Sequence, residues 1–78
     1  MEVLRIVMSK GKQVTRHKVP GEITLQGLAG SVTLHFGERE CELSPGVLIF
    51  LSGGQEHALT ANADSALLLT IILRPATA

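Results

Sequence analysis

Punctuation constrains this chain first. Runs of about four to eight apolar or alternating residues are cut at Ser9-Lys10-Gly11-Lys12, Pro20-Gly21, Ala29-Gly30, Gly37-Glu38, Ser44-Pro45-Gly46, Ser52-Gly53-Gly54 and Asn62-Ala63-Asp64. An amphipathic helix needs its apolar period sustained over about eleven residues, and no interval between these turns carries one. Short strands joined by turns are left, which predicts an all-β sandwich or barrel of about eight strands.

Taken in order, the strands are expected over 2–8, 13–19, 22–28, 31–36, 39–43, 47–51, 57–61 and 66–73, with 73–78 at the end as a loose tail on a single domain spanning 1–78. The alternation is clearest over 31–36, where Val32, Leu34 and Phe36 share one face and Ser31, Thr33 and His35 the other. Val32, Leu34, Ile49, Leu51, Leu59 and Leu68 are the expected core. The last run, ALLLTIIL from Ala66 to Leu73, is apolar at nearly every position. With Leu68 inward, Leu67, Leu69, Ile71 and Leu73 would face out, and covering them calls for a second copy of the chain. A homodimer is therefore expected, with the apolar strand 2–8 as a second candidate for the contact.

Composition narrows the function classes. The chain has 78 residues, seven Lys and Arg against seven Asp and Glu, and no Trp or Tyr. A balanced charge without a clustered basic face argues against nucleic acid. No apolar run reaches the roughly 18 residues of a membrane helix, so no membrane partner is expected. The lone Cys41 cannot form an internal disulfide, and with no apolar leader at the start a cytoplasmic protein is expected. Flanked by Glu40 and Glu42, Cys41 reads as a bystander thiol.

The stretch from Gly46 to Ala61, GVLIFLSGGQEHALTA, reads as strand, glycine turn, strand, with His57 opening the second strand. Its spacing resembles the second motif of the cupin superfamily, G-x5-P-x-G-x2-H-x3-N, through Gly46, Gly54 and His57. Ser52 replaces the proline and Ala61 the asparagine. The first motif, G-x5-H-x-H-x(3 or 4)-E-x6-G, lies on Gly11, His17 and Gly30, with Val19 in place of the second histidine and Ile23 or Thr24 in place of the glutamate. Gln26-Gly27-Leu28-Ala29-Gly30 resembles the turn that follows an apolar strand in small cupins.

The resemblance implies a double-stranded β-helix, a jelly-roll barrel of two antiparallel sheets, around a pocket walled by Ile23, Leu25, Ile49 and Leu59. It further implies a divalent transition metal, zinc, nickel, iron or manganese, held at His17 and His57, with Gln26 as a weaker third donor and Glu22 as a carboxylate that strand parity sets one position off. Three protein ligands are the usual complement of such a site. A histidine after a glycine loop also has a purely structural use, hydrogen bonding to a nearby carbonyl. Two functions stay open: a small-molecule-binding or sensor-like module with an apolar pocket, and a metal-dependent enzyme of dioxygenase or isomerase type with a substituted site. Small cupins often carry further residues before the strand that begins here at Glu2.

Overall fold

Each glycine or proline pair ends a strand, and eight strands result. A computed structural model describes residues 1–17, 21–52 and 54–72, with the backbone alone for 15–17. The strands are β1 (Glu2–Met8), β2 (Gln13–His17), β3 (Glu22–Ala29), β4 (Val32–Phe36), β5 (Arg39–Leu43), β6 (Leu48–Leu51), β7 (His57–Ala61) and β8 (Ser65–Ile72). No helix occurs among the described residues. The expected extension of β2 to Val19, the turn at Pro20, and Leu73 with the tail to Ala78 lie outside the described residues.

The strands form two antiparallel four-stranded sheets, ordered β1-β8-β3-β6 and β2-β7-β4-β5. Their inner faces meet in an aliphatic core in which Ile23, Leu25, Leu67, Val32, Leu34 and Leu43 are fully buried. The scarcity of aromatics is consistent with this core, since β-branched and leucine side chains fill the space between pleated sheets.

Turn chemistry fixes where the sheets close. Val47 N–H donates to the Ser44 carbonyl at 3.0 Å, with Pro45 second and Gly46 third at φ 92°, the arrangement of a type II turn. This turn leans on Gly27, which donates to Val47 and accepts from Gly46. A Cβ on Gly27 would lie 2.2 Å from the Ser44 carbonyl oxygen, so only glycine admits the contact.

The face assignment of β8 differs from the sequence expectation. Leu67 is fully buried, and Leu69 and Ile71 pack against the core, while Leu68 lies opposite Arg5 and Gln26 on the outer side. Ser65 sets this phase. It is buried, its Oγ accepts from Ser31 N–H at 3.0 Å, and its own proton is placed between the carbonyls of Ala63 (2.7 Å) and Ser31 (3.1 Å). With Ser65 inward, alternation sends Leu67, Leu69 and Ile71 inward and Leu68 outward. The other expected core residues hold: Val32, Leu34, Leu51 and Leu59 are buried, and Ile49 packs half-buried against them.

Replacing Leu34 by Ala should cost about 2 to 5 kcal/mol in chemical denaturation. Gly27→Ala should cost about 1 to 3 kcal/mol through overpacking, although glycine is the weaker strand former. An unchanged denaturation midpoint for Gly27→Ala would contradict the tight contact with Ser44.

Candidate functional site

His57 follows the loop from Ser52 to Glu56. Gln55 N–H donates to the Ser52 carbonyl at 3.2 Å and Gly54 takes φ 81°, a conformation that favours glycine because a Cβ is disfavoured there. The loop thus turns the chain from β6 into β7 and delivers His57 as the first strand residue. In β7, His57, Leu59 and Ala61 are buried while Ala58 and Thr60 are half-buried, so His57 belongs to the inner face. Only 3% of it is exposed.

Its Nδ1 lies 3.1 Å from the Gln55 carbonyl oxygen. A carbonyl can only accept, so Nδ1 carries the proton in the neutral ring and Nε2 is the acceptor nitrogen. The carbonyl contact anticipated as a structural use of this histidine is therefore present. It also fixes the ring's tautomer and orientation, as backbone carbonyls do for imidazoles that bind ligands through the other nitrogen.

Across the sheet, His57 lies opposite Phe36 of β4 on one side and His17 of β2 on the other. The second pairing depends on a register shift. Val14 pairs with Leu59, so an unbroken ladder would bring Arg16 opposite His57, but an irregularity between Val14 and His17 inserts one residue and brings His17 there instead. The sequence offered no glycine or proline to mark this bulge.

The remaining expected residues divide by face. Ile23, Leu25 and Leu59 are buried in the core cluster and Ile49 packs against it, all from inner positions. Glu22 and Gln26 occupy the opposite phase of β3, paired across β8 with Ile72 and Leu68 on the outer side, so alternation places neither beside His57. His35 also faces out, with Nδ1 3.3 Å from Glu40 Oε2 on the adjacent strand. Cys41 packs against the core opposite Leu34, and burial raises its thiol pKa. Desolvation is the cause of that rise and disfavours the thiolate, where the sequence had pointed to the flanking carboxylates.

Burial is uneven along the barrel. At the end holding the β7–β8 turn, Met8, Val32, Leu43, Ala61 and Leu67 are all buried. Toward the other end, where positions 57 and 17 pair, Ile23 and Leu51 are buried as well, and Phe36, Leu69 and Ile71 are partly buried against the core. A largely aliphatic interior thus holds a buried imidazole. Phe36, a lining residue that the site reading of the sequence did not single out, was legible there only as an inward position of β4.

Zinc, nickel, iron and manganese sites take about three protein ligands. Among the described residues, no group of three His, Cys, Asp or Glu comes together. Across β2 and β7 the backbone register opposes two histidine positions, 17 and 57, fewer than the three ligands such a site takes.

The chain belongs to the cupin family, whose Cupin domain model matches residues 4–73. Solved structures agree on the jelly roll. A conserved protein of unknown function from Streptococcus pyogenes superposes with a TM-score of 0.83 at 22% identity, over 96% of this chain and 77% of its own. A predicted oxalate decarboxylase from Thermotoga maritima gives 0.81 at 25% identity, over 92% of this chain and 65% of its own. The DMSP lyase DddQ from Ruegeria pomeroyi gives 0.85 at 24%, over 97% of this chain but 40% of its own. No curated protein matches the chain at a significant level. No helix among the described residues is long and apolar enough to cross a membrane.

Because its thiol is desolvated on the inner face, Cys41 should react with iodoacetamide several-fold more slowly in the native protein than in denaturant at the same pH. Equal rates would mean that the thiol is open to solvent.

Proposed function

We propose that the chain is a small-molecule-binding module whose ligand enters the barrel at the His57 end, lies against aliphatic walls and hydrogen-bonds to the imidazole. The observation that carries this reading is a buried, oriented histidine on a predominantly aliphatic inner surface. Pockets of this kind bind through apolar contact and take their specificity from a few placed polar groups. The favoured ligand is compact and largely apolar, with a polar group placed to meet the imidazole. A thiol left reduced is consistent with work inside the cell.

A second reading rests on the same tautomer. The Gln55 contact that orients Nε2 also suits metal ligation, and cupins with catalytic names, the predicted oxalate decarboxylase and the DMSP lyase, share the fold. An enzyme of this type would complete its donor set with water or a residue of a partner chain. Neither relative's reaction transfers on fold alone.

Titration with the apolar fluorophore 8-anilinonaphthalene-1-sulfonate tests the first reading. Saturable binding at one site per chain is expected. Ile71→Trp should block it by filling the interior, and His57→Ala should weaken it about tenfold, the worth of one hydrogen bond. His35→Ala should leave it unchanged. Equal losses from the two histidine variants would overturn the role of His57. Metal analysis of protein purified without a histidine tag addresses the second reading: near-stoichiometric transition metal, lost in His57→Ala, would favour it.

A further inference from the structure

Alternation sorts the charged residues of the strands into two phases, outward and inward. Among the described side chains, the charged ones in the inward phase are Arg39 of β5 and Glu2 of β1. Arg39 takes its phase from its own strand. It alternates with Cys41, packed against the core, and with buried Leu43, while Glu40 faces out to His35. The registers lay Arg39, Phe36 and His57 in one inward row across β5, β4 and β7. Glu2 ends a row of the facing sheet, beside Ile71. Short turns join β1 to β2 and β5 to β6, so Glu2 and Arg39 stand on opposite sides of the sandwich.

We propose that Arg39 anchors an anionic group of the ligand, which is therefore an amphipathic organic anion with its apolar body inside the barrel. The inference rests on the reading of the barrel as a small-molecule pocket entered at the His57 end.

Position is the first argument. Along β5 the inward residues lose burial toward that end, from Leu43 through half-buried Cys41 to exposed Arg39, whereas Ile23 and Leu51 of the facing sheet stay buried. An arginine in such a place keeps its aliphatic stem along the apolar wall and its guanidinium at the rim. The β4–β5 turn also lies beside the loop that orients His57, since a Cβ on Gly37 would meet Gln55 Nε2 at 4.0 Å. Two strand spacings separate Arg39 from His57, about 10 Å, a span that a small molecule lying across Phe36 can bridge.

Chemistry is the second argument. Among the described residues no carboxylate pairs with Arg39, and neighbouring Glu40 contacts His35 on the other face. A guanidinium offers five donors in a planar fork that matches an oxyanion, a carboxylate above all. Held at the rim, the ligand's charge keeps part of its hydration while the apolar body is buried, so no ion has to be desolvated completely. A cationic ligand would meet repulsion at the same place, and a neutral one would leave the fork unused.

Two fluorophores that share one apolar body separate the anchor from the pocket: 8-anilinonaphthalene-1-sulfonate is an anion, and N-phenyl-1-naphthylamine lacks the sulfonate. Arg39→Gln should weaken binding of the sulfonate about five- to tenfold and leave binding of the neutral amine unchanged, which also shows that the variant keeps its pocket. Arg5→Gln removes the same charge from the outer side of the other sheet and should alter neither. Equal effects of Arg39→Gln on the two probes, or none on either, would overturn the anchor while the pocket stands. A matching loss of the sulfonate in Arg5→Gln would also overturn it, because net charge then explains the effect. If the parent binds neither probe, the pocket reading falls and the anchor falls with it.

Discussion

Two serines on neighbouring turns fix the phase of the larger sheet. Ser65 takes the Ser31 N–H and returns its own proton toward the Ser31 and Ala63 carbonyls. A Cβ on Gly30 would lie 2.3 Å from the Asp64 carbonyl oxygen and 2.4 Å from Ser65 Oγ. The β3–β4 and β7–β8 turns, each of which carries the chain between the two sheets, are thereby locked together at one end of the barrel. Because a strand alternates strictly, orienting Ser65 orients every residue of β8. The pairings of β8 with β1 and β3 then pass that phase to the whole sheet. The core, the outward rows and the isolation of Glu22 and Gln26 from His57 all follow from it.

The strands were legible because turn residues bound them, and the faces were legible wherever apolar and polar residues alternate. The run from Val32 to Phe36 showed its inner face directly, and the structure agrees. ALLLTIIL could not, since a sequence apolar on both faces is unchanged by a shift of one. Its phase is set by Ser65, whose partner lies 34 residues earlier. The phase of β3 was legible, which is why Glu22 already stood one position off in the sequence, and Gln26 shares its outward face.

The site was half legible. The spacing around Gly54 and His57 marks a glycine turn that delivers a histidine to a strand, and a turn hydrogen bond and a positive φ realise it. The motif spacing had put His17 together with His57, but nothing in the sequence marked the bulge that brings the two positions opposite each other. Which residue of β2 faces His57 depends on how two strands 40 positions apart pair, a property of the ladder and not of either segment. Among the described residues the inner face carries two buried polar side chains, Ser65 at the turn end and His57 toward the other.

The irregularity in β2 turns that dependence into a route for change. Between Val14 and His17 two residues share one partner position on β7, and sliding that extra residue past His17 would bring Arg16 opposite His57. The residue type opposite His57 would change from histidine to arginine with no codon altered in β7. Removing one residue from the irregular segment straightens the strand and keeps the histidines opposed, while adding one restores the choice. Short insertions and deletions in a sheet-edge strand, usually read as neutral length variation, would here decide which residue of β2 stands opposite His57, and related chains could diverge at that position by changing length before changing any residue of β7.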